Sequence, residues 1–143
     1  FIFFINIIHS SGNCKSSQLF KNLYDNASSG VFFGGIFVDK DSQKTEAFQQ
    51  NNNILLSEKA QINAIPQLEI FADDVVCSHG CTIGQPNVDA IFYLQSRGIK
   101  KEDDLSMLNF AFLSAVFKKL SSLDLKKIIE NLILKQLNLK RYS

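Results

Sequence analysis

Two thiols and an imidazole, Cys77, His79 and Cys81, fall within five residues inside Asp73–Gly84, Asp-Asp-Val-Val-Cys-Ser-His-Gly-Cys-Thr-Ile-Gly. These donor types hold soft and borderline transition metals. In an extended segment, residues two apart point to one side, so the three would form a single row. Strand rise sets neighbours in that row ~7 Å apart, so three donors do not readily close on one ion. A tetrahedral zinc site usually draws paired ligands such as Cys-x-x-Cys from two places. The second pair is missing, with His9 and Cys14 the other Cys and His residues of the chain. Such an incomplete ridge suits a metal or cluster shared with a second chain. The same residues also read as structure, since free Cys is often a small buried apolar group and a lone His a satisfied core or capping residue. Both readings stay open on spacing alone.

Other chemistries have less behind them. No Gly-x-x-x-x-Gly-Lys-Ser/Thr segment exists to cradle phosphate. Gly34-Gly35 reads as a tight corner. A nucleophile built from Cys77 and His9 lacks a recognisable orienting third group. Glu69, Asp73 and Asp74 read as solvated carboxylates, and Lys126-Lys127 as a solvated helix face.

The elements that must position the donor row are set by composition first. A chain of 143 residues suits one compact domain or a lobe with an appendage, and 45% apolar with 20% charged residues is ordinary for a folded protein. A formal charge of +1 supplies no electrostatic reason to expect nucleic acid or an acidic membrane. Three cysteines, an odd number, do not make a disulfide framework, and a reducing compartment is expected. The opening Phe1–Ile8 is apolar but short of the ~20 residues that a membrane helix needs. The chain starts with Phe1 rather than Met. That leads to the expectation of a fragment lacking its N-terminal part, with Phe1–Ile8 a buried strand.

From Phe1 to Val76 the pattern is strand and turn. Apolar runs at Phe1–Ile8, Val31–Val38, Ile54–Leu56 and Leu68–Phe71 are separated by turn-rich Ser10–Asn13, Asn26–Gly30, Asp39–Ser42 and Asn51–Asn53. Asn51-Asn52-Asn53 reads as a turn, because Asn enters the left-handed region more easily than most residues. Ile36, Leu56 and Val76 recur at steps of 20 residues, a spacing seen in coils of stacked solenoids. The alternative, an antiparallel meander, expects tight hairpins, and the chain has no Asn-Gly or Asp-Gly dipeptide.

After Gln85 the period becomes helical. Asn87 is placed to cap a helix that ends at Arg97-Gly98. A second helix is expected from Lys101 to about Leu120, acidic at its start (Glu102, Asp103, Asp104) and basic at its end (Lys118, Lys119). Leu105, Leu108, Phe112 and Val116 form one stripe, while Met107, Phe110, Leu113 and Phe117 widen it beyond one face. Part of that surface is expected to dock a partner or to be sandwiched within the protein. A third helix begins near Ser122, uses Leu125, Ile128, Ile129, Leu132 and Ile133, and closes with Lys135, Lys140 and Arg141.

Three segments carry a family resemblance. Gln43-Lys44-Thr45-Glu46-Ala47 with Gln49-Gln50-Asn51 and Leu55-Leu56-Ser57 resembles the Gln-Lys-Thr-Asp-Ala…Gln…Asn…Leu-Leu-Leu-Ser segment of the SufB/SufD family. Pro66-Gln67-Leu68-Glu69-Ile70-Phe71-Ala72-Asp73-Asp74-Val75, followed by Cys77-Ser78-His79-Gly80, resembles its Pro-Gln-Leu-Glu-Ile-Tyr-Ala-Asp-Asp-Val-Lys-Cys-Ser-His-Gly signature. Ile91–Ile99 matches Leu-Phe-Tyr-Leu-Arg-Ser-Arg-Gly-Ile. The likeness is dense from Val31 to Ile99, and the Cys-Ser-His-Gly form resembles the SufD branch. Departures are Val76 and Ile65 where Lys is usual, Phe33 and Gly35 where Arg and Lys are common, and Cys81 where Ala is commoner.

The resemblance implies mostly β plus α structure: residues 1–84 as C-terminal coils of a right-handed parallel β-helix, and residues 85–143 as an α-helical domain. It implies a non-catalytic scaffold in iron–sulfur cluster assembly. A SufB-like partner would pair through the β-helix, and a SufC-like ATPase would dock on the C-terminal helices through Met107, Phe110 and Phe117. His79 and Cys77 would face a nascent cluster or iron shared across a subunit interface, and Cys81, a departure from the family pattern, reads either as an added ligand or as an inert neutral variant. The location implied is the cytoplasm, or the plastid stroma if organellar. The alternatives from other classes are a self-contained zinc-binding or Cys-dependent protein and a purely structural solenoid.

Overall fold

Six strands and three helices follow one another in chain order. The computed structural model describes residues 1–118 and 120–137. Strands β1 (Ile2–His9), β3 (Ser29–Val38) and β5 (Gln61–Ile70) form one three-stranded sheet. Strands β2 (Lys15–Tyr24), β4 (Glu46–Leu55) and β6 (Val76–Gly84) form the other. All four strand pairings among the described residues are parallel, as a solenoid expects and a meander does not. Parallel partners need a crossover connection, and here each crossover is a strand of the opposite sheet.

The vertical spacing differs from the 20-residue step. Ile7, Ile36 and Leu68 share one row, so successive strands of a sheet lie 29 and 32 residues apart. Ile36 and Val76 belong to different sheets, and Leu56 lies just beyond β4. The short step arose from comparing apolar residues on unlike sides of the turn. It also passed over β2, whose Lys-Ser-Ser-Gln-Leu-Phe-Lys-Asn-Leu-Tyr is too polar to read as an apolar run.

Asn51–Asn53 is not a turn either. It lies inside β4, where Ala47, Gln49, Asn51 and Asn53 are buried at every second position. The left-handed positions fall at Asn13 (φ 59), Asn26 (φ 54) and Lys44 (φ 59), in the connections between strands. Corners of successive levels bond to each other. Asn13 N–H donates to the Gln43 carbonyl at 2.8 Å, and Ser42 Oγ donates to the His9 carbonyl at 2.8 Å. Gly34-Gly35, expected as a corner, sits mid-strand in β3. A Cβ on Gly34 would collide with the Gln49 amide and the Phe32 ring, so glycine there makes room for a buried side chain. Pro66 lies within β5, at the edge of its sheet, where its missing N–H is tolerated.

The apolar centre of this unit is Ile36, Val38, Ala47 and Ala72, with Leu68, Val75 and Cys77 packed on it. Full burial of a side chain such as Ile36 contributes about 1.5–3 kcal/mol. Phe20 and Phe32 meet edge to face at 4.9 Å between centroids.

The chain divides into two compact units, Phe1–Gly84 and Gln85–Ser143. In the second, α1 (Val88–Ser96) begins at Asn87, whose side-chain oxygen accepts the Ala90 N–H at 3.1 Å. The chain leaves α1 through Gly98 at φ 87. Helix α2 (Lys101–Phe117) stops before the expected Leu120, and α3 (Leu123–Gln136) is capped by Ser122. Lys119, Lys140 and Arg141, expected at helix ends, lie outside the described residues. Gln95 Nε2 donates to Asp104 Oδ2 at 2.6 Å, tying α1 to the start of α2. Among the described residues no helix is long and apolar enough to cross a membrane.

Candidate functional site

Among the described residues strand β6 has one strand neighbour, β4. The pairing sets Ala47 beside Cys77, Gln49 beside His79, Asn51 beside Cys81 and Asn53 beside Ile83. Partners in a parallel pair project to the same face. Cys77, His79 and Cys81 therefore continue the row that β4 buries, at the level where the sheet ends. The row is not uniform: Cys77 is half-buried, while His79 and Cys81 are exposed.

Beneath the row lies a stack of amides. Gln49 Nε2 donates to Gln18 Oε1 at 2.8 Å, and those two residues are register partners in β4 and β2. Asn22 Nδ2 donates to Asn51 Oδ1 and Asn53 Oδ1, both at 2.9 Å. Asn53 Nδ2 in turn donates to the Thr82 carbonyl at 3.1 Å and approaches Cys81 Sγ at 3.8 Å. Buried polar groups cost free energy unless bonded, and this stack satisfies nearly all of its own. Asn51 Nδ2 is the exception, buried without a partner among the described residues.

Each donor now has a distinct setting. Cys77 packs on the Ile36, Val38, Ala47 and Ala72 cluster. Burial pushes the Cys81 thiol above its ordinary range, which favours the protonated form. Neither ring nitrogen of His79 bonds to a described residue. His9 is buried, its Nε2 2.9 Å from Ser16 Oγ, and Cys14 Sγ is 3.8 Å from the Gly12 carbonyl. His9 and Cys77 stand on strands of different sheets at opposite ends of the strand order. Among the described residues no three Cys, His, Asp or Glu side chains converge on a common metal position. Asp73 and Asp74 are exposed between β5 and β6.

The amide stack escaped sequence reading. Its signal was present: Ala47-x-Gln49-x-Asn51-x-Asn53 has the same period of two as Cys77-x-His79-x-Cys81.

In the helical unit, Phe117 is 6% exposed and meets the Phe110 ring at 6.2 Å. Met107 and Phe110 are half-buried, and Met107 lines a shallow pocket with Gly98, Ile99, Lys100 and Asp103. Exposed apolar residues of this unit include Val88, Phe92, Leu123, Ile128 and Leu132.

Residues 3–112 match the family model described as the SufBD core domain of SUF system FeS cluster assembly. The chain is 41% identical over 119 residues to the iron–sulfur cluster assembly protein SufD of Escherichia coli K12, covering 83% of this chain and 28% of that protein. It is 42% identical over 105 residues to an iron–sulfur cluster assembly SufBD family protein of Synechocystis, covering 73% of this chain and 23% of the relative. It is 37% identical over 117 residues to the chloroplastic protein ABCI7 of Arabidopsis thaliana, covering 81% and 25%. The chain thus spans a quarter or so of the length of these relatives.

Proposed function

Because the chain belongs to the SufBD core family of SUF-system iron–sulfur cluster assembly, we propose that it is the C-terminal part of a SufD-like, non-catalytic scaffold subunit. Residues 1–84 are then the last coils of a right-handed parallel β-helix, and residues 85–143 a helical docking domain. The two parallel sheets, with every crossover made by a strand of the other sheet, support that reading of the first unit.

The observation that carries the site is His79: an exposed imidazole, unbonded to any described residue, on a strand that among the described residues pairs on one side alone. An iron or nascent cluster is the cargo, held between His79 and donors from a SufB-like subunit that pairs through the β-helix. The half-buried, core-packed position of Cys77 supports a packing role beside the donor, and Cys81 stands next in the row as an added thiol. A self-contained Cys-dependent enzyme is disfavoured by the raised Cys81 thiol and by the engagement of His9 with Ser16.

A SufC-like ATPase docks on the helical unit near Met107 and Phe110. Phe117 supports that surface from beneath. Changing Met107 to Glu in the full-length subunit should weaken capture of the ATPase, and unchanged capture would count against this docking site. Bacterial and chloroplastic relatives support a cytoplasmic or stromal setting.

The test of the cargo site is His79→Ala in the full-length subunit, co-purified with its partners and assayed for iron and acid-labile sulfide. Loss of both is expected. Wild-type iron and sulfide in that variant would remove His79 from the site.

A further inference from the structure

We propose that Gln49 is a positioning residue for His79: its side-chain carbonyl accepts one imidazole N–H, and so turns the other ring nitrogen outward as a lone-pair donor. This rests on the reading of His79 as a donor to iron or cluster.

Gln49 is register partner to His79 on the same face, in strands about 4.8 Å apart. It is 3% exposed, so its amide is held by packing. Its Nε2 is already committed to Gln18 Oε1 on the far side. The two polar atoms of a primary amide diverge, so the atom left uncommitted is Oε1, an acceptor, which is also the amide atom nearest to where a Gly34 Cβ would stand. That oxygen accepts nothing from the described residues. Gly34 is kept bare where a Cβ would strike this amide. The amide is therefore fixed by a bond on one side and by the volume that Gly34 leaves open for its oxygen.

His79 is the complementary group. It is exposed and unbonded, and turning its ring toward Gln49 needs only a side-chain rotation, which exposed residues make in picoseconds to nanoseconds. A neutral imidazole has one N–H and one lone pair, so fixing the N–H on an acceptor decides which nitrogen can bind metal. Metal-binding histidines usually have such a partner, and its loss typically costs 10–100-fold in metal affinity or activity.

The test uses the full-length subunit in three variants. Gln49→Met matches the length but has no acceptor, Gln49→Glu keeps one, and His79→Ala identifies the resonances of His79. Selective 15N-histidine labelling reads the tautomer, and ferrous iron alone serves as the binding probe. The expected result is one dominant His79 tautomer in wild type and Gln49→Glu. In Gln49→Met a mixed population should accompany about 10-fold weaker iron binding. An unchanged tautomer ratio in Gln49→Met overturns the proposal whatever iron does. If instead the ratio shifts while His79→Ala binds iron as wild type, Gln49 does orient the ring but His79 is not the iron donor.

Discussion

Gln49 and His79 are neighbours across one strand pairing, on one face, yet the first is sealed inside and the second stands open. A buried amide bonded to Gln18 thus stands in register with an unclaimed imidazole. That step from interior to surface along β4 and β6 is the physical basis of the candidate site.

Removing the imidazole should leave the fold alone. His79 is exposed and forms no bond to a described residue, and surface changes of this kind fall within about 0.5 kcal/mol. Thermal unfolding of His79→Ala in the full-length subunit should match wild type. A large fall in Tm would mean that its loss of cluster reflects folding.

Gly34→Ala should destabilise. The added Cβ meets the Gln49 amide, Oε1 first and then Nε2 at 2.8 Å, and also the Phe32 ring. Overpacking of this kind costs about 1–3 kcal/mol. Denaturant melts of the variant would measure it, and a melt equal to wild type would show that the amide over Gly34 moves aside freely.

Asn53→Ala strips the stack of an acceptor for Asn22 and a donor to the Thr82 carbonyl. Leaving buried polar groups unpaired costs about 1–3 kcal/mol. Because one of those bonds anchors β6, amide hydrogen exchange across Val76–Gly84 should rise along with the loss in stability. Exchange confined to β2 would contradict this placement.

Cys81 should react slowly for an exposed thiol. The thiolate is the nucleophile, and burial raises the pKa, so less thiolate is present at neutral pH than in a free cysteine, whose pKa is about 8.5. Alkylation followed by mass spectrometry from pH 7 to 10 should give a midpoint above the ordinary thiol value. Fast labelling at pH 7 would refute the shift and favour a reactive-thiol function.

Cys77→Ser should cost stability, since a hydroxyl would replace a sulfur packed on Ile36, Val38, Ala47 and Ala72. A loss of about 1 kcal/mol is expected with cluster content retained. Iron loss beyond what the melt explains would make Cys77 a donor after all.

Local features of this chain were legible from residue order. The caps at Asn87 and Ser122 and the stop at Gly98 follow from short-range backbone bonding, which needs only neighbours in sequence. That Cys77, His79 and Cys81 share one face was legible too, because a period of two is a property of any strand. What residue order could not disclose is which strand lies beside which. Asn51–Asn53 looked like a turn because asparagine tolerates turns, and only a buried neighbouring strand turns its amides into a ladder. The 29- and 32-residue steps, the cavity that Gly34 opens and the placing of Gln49 beside His79 all arise from pairing between distant segments. Composition and spacing singled out Cys77, His79 and Cys81; packing between strands decided that Cys77 is half sunk, His79 exposed, and its register partner Gln49 buried.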